Sequence, residues 1–275
     1  FLGATENAGT ITVSSPGLAD FQDTYGATTS TGLVELASTG NARFRGSAVF
    51  TGGSLTGTAT DGEDPTIEFQ DNVVFGTFTQ NGDLLLFSTN SAQTWDSNAQ
   101  NIGDVEVNKA DAAPAGTLTL TNSVSQETLT GVLTMTDGRL DLDGNTWDLG
   151  ANLSLGNAST PEIYLSGGTL TEGTGDFNVT VGNATLNGAS GTTGALDVSV
   201  LTLNDASASV THGTGLLSAD SMNLSAGSFT QTGDNGGNSQ SVGDGTTAIG
   251  ITGGSMTWDS AGAGGTLTLS GSVSQ

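Results

Sequence analysis

The sequence contains no cysteine, so neither disulfide bonds nor thiolate metal centres hold it together. Stability has to come from backbone pairing and a thin apolar core. Basic residues are almost as scarce. Arg43, Arg45, Lys109 and Arg139 are the 4 cations against 28 acids, a formal net charge of -24. Phosphate backbones are bound by lysine and arginine through counterion release, and four scattered cations form no basic stripe. An anionic membrane surface repels such a chain, and no apolar run approaches the ~18 residues of a membrane span. Neither nucleic-acid binding nor membrane insertion is expected.

Helix formers are thin as well. There are 43 glycines, and Ser plus Thr make up roughly a quarter of the residues. Glycine and β-branched threonine both disfavour helix interiors, whereas Thr, Val, Ile and Phe favour strands. The composition predicts an all-β chain of short strands.

What is present in quantity is repetition. Phe-Gly-Thr-Phe-Thr-Gln-Asn-Gly-Asp at 75–83 returns as Ala-Gly-Ser-Phe-Thr-Gln-Thr-Gly-Asp at 226–234, an offset of 151 (226 − 75). Gly-Thr-Leu-Thr-Leu at 116–120 returns at 265–269, an offset of 149 (265 − 116), and both copies run on to Ser-Val-Ser-Gln. Residues 42–275 therefore carry nearly two copies of a module of about 150 residues, and residues 1–41, less regular, are expected to be an N-terminal cap or docking segment. A shorter beat of glycine, hydroxyl residue, apolar residue and threonine recurs at 53–56, 76–79, 116–119, 168–171, 227–230, 254–257 and 265–268. Each predicts a turn followed by a strand, with apolar side chains on one face and threonine on the other.

Apolar pairs spaced 15 to 25 residues apart match the coil length of a parallel β-helix, or β-solenoid. A single coil of ~20 residues cannot bury its apolar face, but coils stacked ~4.8 Å apart make a continuous narrow core. The sequence predicts about a dozen rungs and a rod ~55 Å long at that spacing. The alternative is a tandem pair of antiparallel β-sandwiches, because Asn81-Gly82, Asp137-Gly138, Asp143-Gly144 and Asn187-Gly188 suit hairpins as well as solenoid corners.

Gly76-Thr-Phe-Thr, Gln93-Thr-Trp95, Asp104-Val-Glu-Val-Asn-Lys109, Gly116-Thr-Leu-Thr-Leu120, Leu133-Thr-Met-Thr-Asp-Gly-Arg-Leu-Asp-Leu142 and Leu149-Gly-Ala-Asn-Leu-Ser154 resemble, in order, a repeat module of very long secreted surface proteins of environmental bacteria. The resemblance covers residues 74–157 well and 226–275 more loosely. It implies an extended β-solenoid fibre or adhesin, akin in architecture to filamentous-haemagglutinin and autotransporter-passenger rods. A first residue Phe1 in place of methionine is read as a removed leader, so an extracellular or cell-surface location is expected. Sequons at Asn152, Asn157, Asn178, Asn183 and Asn223 arise by chance in a chain this rich in Asn, Ser and Thr.

Chemistry-bearing motifs are few. Asp61, Glu63 and Asp64 form the densest acidic turn and are the candidate ligands for a Ca²⁺ ion, the one cofactor considered. Glu172-Gly-Thr-Gly-Asp176 resembles a single calcium β-roll unit, but such units act in tandem. His212 lacks an obvious partner and is placed in a surface turn. With so few cations and no converging acid and base, no catalytic residue is assigned and no enzyme is expected. The expected function is a structural subunit of an extracellular filament or fibrous adhesin. Copies of the chain would join end to end through Gly9, Thr10, Ile11, Thr12 and Val13 at one end and Thr266, Leu267, Thr268 and Leu269 at the other, with surface glycans as further partners. The alternative is a carbohydrate-binding or carbohydrate-cleaving β-helix of the tailspike kind.

Overall fold

The structure is a computed structural model. It describes the chain except residues 15–16, 27–30, 38–39, 51–52, 58–64, 81–83, 99, 111–114, 122–125, 130, 174, 189–193, 233–238, 244–246, 259–265, 270–271 and 275.

Alternating apolar and hydroxyl residues form strands wherever glycine or an Asx residue turns the chain, and the described residues contain no helix. The strands pair in parallel, each with its counterpart one coil away, which makes the molecule a β-solenoid and sets aside the antiparallel sandwich. Leu140 pairs with Ile163 and Ile163 with Leu186, a step of 23 residues each time (163 − 140 and 186 − 163). Every coil has three faces. The coil of Leu33–Ala37, Asn41–Phe44 and Ala48–Val49 shows them in order as first, second and third. The third face is a 10-stranded sheet, prolonged by single bridges from Ala48 to Tyr25 and from Tyr25 to Thr5. Each of those 10 strands closes one full coil, and the coils of Thr10–Ser14 and Thr266–Leu269 are partial. Complete coils are thus somewhat fewer than the dozen expected. Residues 1–41 lie in the same stack, since Thr10–Ser14 pairs with Leu33–Ala37 and Leu18–Phe21 with Asn41–Phe44.

The expected glycine corners follow from backbone demand rather than hairpins. Gly138 has φ +84, and a Cβ there would sit 2.6 Å from the Gly116 carbonyl oxygen and 2.7 Å from the Lys109 Cβ, so only glycine turns this corner without a shift. Asparagine closes other corners through its amide. Asn145, buried, donates from Nδ2 to the carbonyls of Leu142 (2.8 Å) and Leu120 (3.2 Å), tying one coil to the previous one. Asn157 Nδ2 donates to the Met135 and Thr136 carbonyls, and Asn183 Nδ2 donates to the Asn157 carbonyl. Those two sequon amides are occupied in corner ladders. Asn145→Ala is expected to remove the amide donor from the Leu120 carbonyl one coil away and to cost ~1–3 kcal/mol in urea unfolding. An unchanged midpoint would show that the amide does not close the corner.

The core changes character along the rod. On the second face Phe21, Phe44, Phe69 and Phe87 stand in one register column, with ring centroids 4.7, 5.3 and 5.6 Å apart, and Phe1 stacks on Phe21 at 4.6 Å. Tyr25, Phe50, Phe75 and Trp95 pack beside them. Beyond Phe87 the column passes to Val107 and Met135, and further on to Leu155, Val181, Leu203 and Leu224. The sequence predicts a core of Leu, Val and Ile with occasional Phe; the first coils instead hold a continuous aromatic stack.

Candidate functional site

Asp61, Glu63 and Asp64 lie outside the described residues, and among the described residues no group of three or more His, Cys, Asp or Glu is placed to hold a metal ion. Glu172 closes a turn: burial pushes its carboxyl up, and its Oε2 accepts the Phe177 backbone N–H at 3.1 Å. The segments expected to join copies sit at opposite ends of the stack. Gly9 precedes the strand Thr10–Ser14, which is the edge of the four-stranded sheet, and Thr266–Leu269 is the edge of the twelve-stranded sheet.

All four cations serve contacts between coils or inside the core. On the second face Arg43 and Arg45 point outward from one strand. Arg43 Nε donates to Glu68 in the next coil and Arg45 Nε to Asp20 Oδ1 (2.8 Å) in the previous one. Burial pushes the Glu68 carboxyl up, but hydrogen bonds from Ser88, Gln70 and Arg43 outweigh it and hold the group below its ordinary range. A shallow groove of about 320 Å³ runs beside this pair, with Leu18, Leu86, Asn41 and Thr66 in its walls. The charges next to it are already satisfied by each other, so the groove offers a ligand hydrogen-bonding groups and two leucines but no unpaired ion.

The densest constellation of functional types lies on the third face. Register brings Arg139 beside Glu162 and Asp141 beside Tyr164. Arg139 Nη2 lies 2.6 Å from Glu162 Oε2, and its guanidinium carbon is 4.8 Å from the centre of the Tyr164 ring. Asn187 Nδ2 donates to the other oxygen, Glu162 Oε1, at 3.0 Å. Asp141 is half-buried, burial holds its carboxyl above the ordinary range, and it accepts the Asp143 backbone N–H at 3.0 Å. A raised acid beside a second carboxyl group is the skeleton of a glycosidase pair. Here both oxygens of Glu162 are engaged by protein donors and Arg139 covers the tyrosine ring, so neither a base nor a sugar platform is presented. The cluster acts as a three-coil clamp.

Two polar side chains are buried where the sequence analysis did not place them. Lys109 is fully buried at a corner and its Nζ donates to Gln93 Oε1 at 2.6 Å; Gln93 Nε2 in turn donates to the carbonyls of Phe69 and Asp71. No ion pair of Lys109 exists among the described residues, and burial lowers its pKa to about 8. His212, expected in a surface turn, is 1% exposed. Its Nδ1 meets Gln231 Oε1 at 2.8 Å, and burial lowers its pKa. It stacks in register on Gln231 and then Trp258, a core column rather than a catalytic one. Trp95 and Trp147 are buried and meet edge to face at 5.8 Å. Compared with known proteins, the chain matches no family model, no curated protein and no solved structure.

Proposed function

We propose that the chain is a secreted structural protein, a length of extracellular filament or of a fibrous cell-surface adhesin, and that its coils continue end to end by parallel strand pairing. The observation that carries this is the pair of open edges: among the described residues Thr10–Ser14 at one end and Thr266–Leu269 at the other are each paired on one side only in their sheets. Unpaired edge groups of a parallel ladder are a template for the next strand, whichever chain supplies it. Two further facts support a structural role. Arginines that would hold an anionic ligand are spent on clamping adjacent coils, and the patch of Asp141, Glu162 and Tyr164 is closed on itself. The carbohydrate-binding alternative draws on the same patch and on the leucine-walled groove, and fits them less well. The resemblance to bacterial surface-fibre modules points the same way as the open edges.

Negative-stain microscopy of concentrated protein tests this directly. Uniform filaments built of stacked solenoids are the expected result, and discrete single particles at high concentration would overturn it.

A further inference from the structure

The acidic residues are unevenly spread over the rod. On the third face the consecutive strands Thr185–Asn187, Ser209–His212, Ser228–Gln231 and Ser255–Trp258 contain no Asp, Glu, Lys or Arg, in a chain of net charge -24. Their register aligns the outward side chains in two columns, one running through Ser209, Ser228 and Ser255 and the other through Thr211, Thr230 and Thr257. The intervening Val210 and Phe229 point into the core and keep the face flat. In the corresponding coils the first face presents Asp197 and exposed Asp220. The second face has a narrower column, Thr180, Thr202 and Asn223, interrupted by Gly250.

We infer that this uncharged hydroxyl flank is the surface along which a second copy of the chain lies, so that filaments pack side by side through it. The inference rests on the end-to-end filament proposed above. Charge sets aside the first face, because two rods of the same strongly negative chain repel each other wherever carboxylates face, and the unbroken double column of hydroxyls favours the third face over the narrower, glycine-interrupted second. Shape permits it, because short Ser and Thr side chains let two sheets approach to ~10 Å and interdigitate. Area sets the condition. Four coils ~4.8 Å apart with strands of three residues at ~3.3 Å each cover roughly 200 Å². A stable interface needs ~800 Å² per partner, so single molecules do not pair while a filament of about four or more copies does. Lateral packing therefore follows end-to-end growth and strengthens as salt shortens the Debye length from ~30 Å at 0.01 M to ~8 Å at 0.15 M.

Filaments of the full chain, imaged at neutral pH at both salt concentrations, are expected to be single at low salt and bundled at the higher one. Thr211→Asp/Thr230→Asp places a carboxylate row on the flank and is expected to keep filaments single at both. Thr230→Tyr blocks close approach without charge and tests the same surface should the double variant fold poorly. Thr180→Asp, on the second face, is expected to bundle like the parent. Single unbundled parent filaments at 0.15 M salt, or bundles in the Thr230→Tyr variant equal to the parent's, overturn the lateral contact alone. Absence of any filament overturns the end-to-end function and this contact with it.

Discussion

Phe69→Ala is expected to lower unfolding stability by ~3–5 kcal/mol, the ordinary cost of emptying a buried phenylalanine site. Its ring is fully buried, lies between Phe44 at 5.3 Å and Phe87 at 5.6 Å, and meets Phe75 edge to face at 5.8 Å. Each such aromatic contact adds ~0.5–1.5 kcal/mol beyond the area it buries. The cavity cannot collapse easily, because hydrogen-bonded strands fix the coils on either side at one spacing. A solenoid coil contacts only its neighbours, so the damage is local. Hydrogen exchange is expected to accelerate in Asn41–Phe44 and Leu84–Ser88 while Val179–Val181 and Thr185–Asn187 keep their protection. A loss under ~1 kcal/mol, or an equal loss of protection in all four strands, would show that the aromatic column does not hold the first coils together.

That column was written in the sequence in a form easy to pass over. The second-face strands Leu-Ala-Asp-Phe, Asn-Ala-Arg-Phe, Thr-Ile-Glu-Phe and Leu-Leu-Leu-Phe-Ser each carry phenylalanine at the same inward position. The glycine, hydroxyl, apolar and threonine beat was the readable signal. All seven instances mark strands, and they fall on the first and third faces only. The longer repeat of about 150 residues is real as sequence but out of step with the coils. Thr77–Thr79 lies on the first face and its counterpart Ser228–Gln231 on the third, whereas Thr117–Leu120 lies on the third and Thr266–Leu269 on the first. Such strand units are interchangeable between faces because each needs only one buried apolar residue, one corner and a partner above and below.

Polar residues at the corners were harder to place, and the reason is parity. Val105, Val107 and Lys109 follow the two-residue alternation of one strand past its end, and Val210 and His212 follow it to the last residue of another. Composition marks a histidine beside glycine as a surface turn, but the strand alternation turns both side chains inward. Following the inward parity of each strand to its end, and one residue past it for Lys109, would have located both. The ion pairs were unreadable for another reason. Arg43 with Glu68, and Arg139 with Glu162, are 25 and 23 residues apart (68 − 43 and 162 − 139) and depend on the coil register, which varies with corner length.

The parity of Lys109 has a thermodynamic consequence. An ammonium group with a single neutral acceptor and no ion pair among the described residues opposes folding, and burial lowers its pKa from 10.5 to about 8. Because the folded pKa lies below the unfolded one, the unfolded chain binds more protons between pH 8 and 10.5, and stability rises with pH across that window. Below pH 8 the whole penalty is present, about 3 kcal/mol at 1.36 kcal/mol per pH unit. Lys109→Met removes the titration but leaves Gln93 Oε1 buried without its donor, a cost of ~1–3 kcal/mol, so the two proteins are expected to be similar in stability at pH 7. Their profiles then diverge. From pH 8 to 10.5 the parent is expected to gain roughly 2–3 kcal/mol on the variant in denaturant unfolding. Parallel profiles across the window would mean that water or an acid reaches the amine, and the corner would then be open rather than dry.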